Sequence, residues 1–99
     1  MQPIGLFPGT LRDWTLTLKD ETPIGYVFNV IERLRPSLLE SFSLLDLYKS
    51  EKIGKDRKNI TLRFVYRSTE KTLSFEEVES IHSKLIAQME EQLKGHILG

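Results

Sequence analysis

From Ile60 to Arg67 the chain alternates, with Ile60, Leu62, Phe64 and Tyr66 set against Thr61, Arg63, Val65 and Arg67. A side-chain period of two sends successive residues to opposite faces of a strand, so this segment is a strand with one apolar face. Such a strand cannot stand alone. It needs neighbouring strands to take its backbone hydrogen bonds and a second layer to cover its apolar side. The remaining residues must supply both.

Trp14, Leu16 and Leu18 alternate with Asp13, Thr15, Thr17 and Lys19, which predicts a first strand over 12–19 with Asp13, Thr15 and Thr17 exposed. Thr22 before Pro23 reads as a helix N-cap followed by proline at the first helical position. Ile24, Val27, Phe28, Ile31 and Leu34 continue a helical stripe until Pro36 disfavours helical geometry at Arg35. A second strand is expected over 38–49. The adjacent Leu44 and Leu45 break its alternation and point to a bulge, and its two faces do not follow from the pattern. After the polar loop SEKIGKDRKN and the third strand, Ser74 and Glu77 form a capping-box pair. Val78, Ile81, Leu85, Met89 and Leu93 then keep helical spacing up to a stop at Gly95. His96, Ile97 and Leu98 read as a short edge strand.

The order β-α-β-β-α-β is the ferredoxin-like split βαβ arrangement of the α+β class, with two helices on one face of an antiparallel sheet and the other face open. The chain is 99 residues long with 39% hydrophobic content, enough for one core. Residues 1–11, with two prolines and two glycines, read as an extended arm or linker, and 12–99 as the domain. An arm of that kind suits a domain cut from a longer protein.

The formal net charge is zero, so any nucleic-acid role must rest on where the charges lie. Eight basic residues between Lys49 and Lys71 stand against three acidic ones, a local excess of five. Cysteine is absent, which excludes a disulfide scaffold or a thiolate metal site, and no apolar run reaches membrane-spanning length. A soluble, cytoplasmic protein without a membrane is expected. His82 and His96 lack metal-ligand spacing, Glu76, Glu77 and Glu79 suit a helix N-terminus, and no nucleophile elbow or phosphate loop is present. No catalytic residue and no metal site is therefore expected in this domain.

Four short blocks carry a resemblance: Arg12-Asp13-Trp14-Thr15-Leu16, Leu45-Asp46-Leu47-Tyr48-Lys49, Arg63-Phe64-Val65-Tyr66-Arg67-Ser68, and Thr72-Leu73-Ser74-Phe75-Glu76-Glu77-Val78. In this order and spacing, over about residues 7–98, the chain resembles the ferredoxin-fold anticodon-binding domain of phenylalanyl-tRNA synthetases. The resemblance implies a non-catalytic module ending the synthetase β subunit and gripping the anticodon region of tRNA(Phe) through its open sheet face. It implies a parent enzyme that joins phenylalanine to tRNA(Phe) with ATP and Mg2+. That enzyme works with an α subunit, as an αβ heterotetramer if bacterial; an organellar origin, with the module fused to the catalytic domain, stays open. Tyr48 matches a position able to stack on a base, and Thr15 and Asn59 match positions lining the same patch. Arg63 and Arg67 lie on that face by alternation and are expected to hold phosphates, with Lys55, Arg57 and Lys58 adding attraction from the adjacent loop. Ser50 and Trp14 depart from the commoner family residues.

Plainer readings stand beside these. Asp46 offers RNA an acceptor but is read as structural, pairing with Arg63 or Arg12, because an acidic residue near phosphates is usually so, and the Arg12-Asp13 pair is read as a turn cap or a cross-strand partner. The runner-up function is a protein-interaction or regulatory module that uses the open sheet face to oligomerise. An acylphosphatase-like hydrolase is disfavoured, because LKDETPIG lacks the arginine-bearing anion loop that such an enzyme needs.

Overall fold

The computed structural model describes residues 7–49, 52 and 54–98. Residues 1–6 of the expected arm, Ser50, Glu51 and Ile53 of the polar loop, and Gly99 lie outside the described residues.

The chain runs β1 (Thr10–Lys19), α1 (Ile24–Leu34), β2 (Leu39–Tyr48), β3 (Arg57–Tyr66) and α2 (Phe75–Gln92). The three strands form one antiparallel sheet in the order β1-β3-β2, with β3 in the centre. The strand with the cleanest alternation is thus the one that needs two neighbours. Its Ile60, Leu62, Phe64 and Tyr66 are fully buried, and they meet Val27, Val30 and Ile31 of α1 and Val78, Leu85 and Met89 of α2 in a single core. Leu16 and Leu18 join from β1, with Trp14 packed partly buried at the margin. Both helices cover the same side, which leaves the α+β sheet with one bare face, as the split βαβ reading requires.

Local chemistry accounts for most boundaries. At α2, Ser74 accepts from the Glu77 N–H at 3.1 Å and the Glu77 carboxylate accepts from the Ser74 N–H at 2.9 Å, so the expected capping box is complete. Lys71 reaches the same carboxylate at 2.6 Å, and these bonds, the Lys71 one foremost, hold the Glu77 pKa at about 2. Gly95, at φ +95°, takes the left-handed conformation that lets the chain turn out of the helix. The bulge expected at Leu44 and Leu45 is present, since Leu44 pairs with Leu62 and Asp46 with Thr61. A second register shift at Glu40 was not signalled by the pattern.

Several expectations need correction. β1 begins at Thr10, two residues early, because Leu11 and Thr10 complete the ladder opposite Val65 and Tyr66. Thr22 does not cap α1. The N-cap is Pro23, and the Thr22 hydroxyl is buried and lies 3.0 Å from His96 Nδ1, so tertiary contact has taken the group that local sequence assigned to the helix. The last strand is reduced to one bridge between Leu18 and Ile97, with Lys19 N–H donating to His96 O at 2.9 Å and Leu98 N–H to Thr17 O at 2.8 Å. The helix side of β2 is also incompletely covered: Leu44, Leu45 and Leu47 remain exposed at the sheet edge.

Candidate nucleic-acid interface

Antiparallel pairing places directly opposed residues on the same side of the sheet, so the register writes out the bare face as rows. Across β1, β3 and β2 they read Leu11–Val65–Ser41, Asp13–Arg63–Ser43, Thr15–Thr61–Asp46 and Thr17–Asn59–Tyr48. Lys19 opposite Arg57 closes the series. Thr15, Tyr48, Asn59 and Arg63, singled out from sequence, are thereby brought onto one surface.

The rows differ in chemistry. Tyr48, 49% exposed, ends β2 beside Asn59. The Thr17 hydroxyl donates to Asn59 Oδ1 at 2.6 Å, which fixes the amide and leaves its N–H2 as the available group. Thr15 and Thr61 join hydroxyls at 2.9 Å. An exposed aromatic ring beside an oriented amide and short hydroxyls can stack a base and hydrogen-bond its edge.

The charges are arranged less simply than the alternation suggested. Arg63 donates through Nε and Nη2 to both Asp13 oxygens, at 2.9 and 3.1 Å. This hydrogen-bonded pairing lowers the Asp13 pKa and raises that of Arg63. Arg67, just past β3, pairs with Glu40 at 3.1 Å and donates to Phe7 O at 2.8 Å. Lys49 pairs with Asp20 at 2.7 Å, the main cause of a lowered Asp20 pKa. Lys19, Lys55 and Arg57, by contrast, make no ion pair among the described residues, and all three lie at the Tyr48 end.

Lys58 is not on this surface. It shares the register parity of Ile60, is only 7% exposed, and its Nζ donates to Asp20 O at 3.0 Å. β3 begins at Arg57, three residues inside the loop expected from sequence, so its alternation takes in Lys58. Asp46 pairs with neither expected arginine, since Arg63 is held by Asp13 and Arg12 by Glu79 at 2.6 Å. It stands on the bare face opposite Thr61 as an exposed carboxylate. Lys19 is the residue of this face that sequence reasoning did not single out, and Asp46, set aside there as structural, stands on the same face. Extending the odd-numbered set of β1 by two would have found Lys19, whereas the bulge at Leu45 hid the face of Asp46. The histidines serve the fold, His82 through Nδ1 at 2.8 Å from the Tyr66 hydroxyl and His96 through Thr22. No helix among the described residues is long and apolar enough to cross a membrane.

The pattern that defines the ferredoxin-fold anticodon binding domain matches residues 5–97. A phenylalanine–tRNA ligase beta subunit of Protochlamydia amoebophila is 41% identical over 86% of this chain and 11% of its own length. The subunit of the same name from Geobacter sulfurreducens is 40% identical over 96% of this chain and 12% of its own. A chloroplastic one from Pyropia yezoensis is 37% identical over 94% and 13%. The chain thus spans 11–13% of the length of these curated relatives.

Proposed function

The chain belongs to the ferredoxin-fold anticodon-binding domain family, and from that premise we propose that its bare sheet face binds the anticodon region of tRNA(Phe), as a non-catalytic module of a phenylalanine–tRNA ligase β subunit. The observation that carries the reading is the row Thr17–Asn59–Tyr48, where a stacking ring and an oriented amide lie next to Lys19 and Arg57, which make no ion pair among the described residues. Tyr48 takes a base on its ring. Asn59, Thr15 and the Asp46 carboxylate meet polar base edges, and the cations meet the phosphates.

In the parent protein, ATP and Mg2+ serve the ligase reaction away from this domain, and the α subunit is the partner of the β chain. The test is NMR shift perturbation of the 99-residue chain by the anticodon stem–loop of tRNA(Phe), against a hairpin with a scrambled loop. Shifts at Thr15, Asp46, Tyr48 and Asn59 that vanish on scrambling are expected. Equal shifts with both hairpins, confined to Lys55 and Arg57, would reduce the domain to a general electrostatic anchor.

A further inference from the structure

The two arginines that face outward from β3 and its end are both held by carboxylates. Asp13 grips Arg63 with two hydrogen bonds, and Glu40 pairs with Arg67. The cations at the opposite end, Lys19, Lys55 and Arg57, have no such partner among the described residues. The unpaired cations of the bare face therefore gather at the Tyr48 end, where the exposed carboxylates of Asp46, Asp56 and Glu21 also lie.

Stability does not account for this pattern. Exposed ion pairs contribute little to folding, and the Asp13–Arg63 pair is about two-fifths exposed on each side. Their stronger effect is on recognition. A free arginine attracts any phosphate whatever the sequence, whereas a paired one must lose its carboxylate or carry that negative charge towards the RNA backbone.

We propose that Asp13 and Glu40 are specificity-determining residues of the RNA-binding face, which keep Arg63 and Arg67 from gripping phosphate and confine backbone contact to the Lys19, Lys55 and Arg57 end. The inference rests on the reading of this face as RNA-binding. Phosphate contacts position without reading sequence, so removing them from most of the sheet leaves discrimination to the Tyr48 and Asn59 rows. The arginines remain as fixed, flat donors at the margin of the base-reading surface.

The test is the salt dependence of binding to the cognate stem–loop and to the scrambled-loop hairpin, for the wild-type chain, D13N, E40Q, R63A, K55A and R57A, with thermal melts confirming folding. Each phosphate contact contributes about 0.7 to 0.9 to the slope of log K against log salt. D13N and E40Q are each expected to steepen the slope by about that amount. Each is also expected to tighten the scrambled hairpin about threefold to fivefold at 0.15 M salt, which lowers the preference for the cognate loop. K55A and R57A flatten the slope, and R63A leaves it unchanged. An unmoved slope in both D13N and E40Q, or a slope that R63A flattens as K55A does, overturns this inference and leaves the RNA reading standing. A wild-type chain that binds neither hairpin overturns both.

Discussion

Replacing Tyr48 by alanine removes the ring proposed to receive a base and almost nothing else. The side chain is 49% exposed at the end of an edge strand, and its hydroxyl makes no hydrogen bond among the described residues. Folding should therefore change by no more than about 1 kcal/mol, the span of strand preference at such positions. Loss of base–aromatic stacking, in contrast, is worth about 1 to 3 kcal/mol, which is about fivefold to 150-fold in Kd. Tyr48→Phe keeps the ring and should bind within about twofold of the wild type, because a stacked base needs the ring face and not the phenol hydroxyl. Titration of the labelled anticodon stem–loop into each variant at fixed salt, beside a thermal melt, measures both quantities. If Tyr48→Ala binds as tightly as the wild type while melting normally, the stacking platform is elsewhere and the reading of the Thr17–Asn59–Tyr48 row is wrong.

Lys58→Met keeps the buried stem but removes the Nζ donor to Asp20 O; it should lower the melting temperature and leave the salt slope of RNA binding unchanged, as thermal melts and salt titrations will show. Ser74→Ala breaks the capping box at α2 and should cost about 1 kcal/mol, a drop of about 4 to 8 °C for a domain of this size, read by calorimetry. Burial pushes the His82 pKa below its ordinary value despite the nearby Glu79 carboxylate. The unfolded chain then binds the proton more readily, so this contribution is complete above the unfolded pKa near 6.5 and is lost as pH falls below it. Denaturant melts at neutral and mildly acidic pH should show His82→Gln losing less stability on acidification than the wild type.

What could be read from the residues was whatever local physics decides. β3 alternates because one face meets two helices, and Ser74 with Glu77 caps α2 because both partners lie within one turn. The Leu44-Leu45 doublet marks a bulge because a period of two cannot place both leucines on one face. The failures are groups whose partners come from distant chain. Thr22 is claimed by His96 across 74 positions, and Lys58 by Asp20 across 38. Asp13 captures Arg63 across 50 positions, which left Asp46 without the arginine assigned to it. Burial pattern is written in sequence spacing, but competition among several carboxylates for a few cations is settled only when strands are set side by side.

The shortened last strand has a consequence for assembly. Bonds at Thr17 and Lys19 show that the odd residues of β1 turn their backbone groups outward, so Asp13 and Thr15 present theirs next along the edge. Arg12 Nη1 donates to the Leu11 carbonyl at 2.9 Å, and the bridge to Ile97 occupies the other end, leaving a window of a few residues. On the opposite edge, shifts at Glu40 and Leu45 interrupt β2 twice. A foreign strand finds no long, flat run to zip onto at either border, so the sheet resists edge-to-edge aggregation although it is not closed into a barrel.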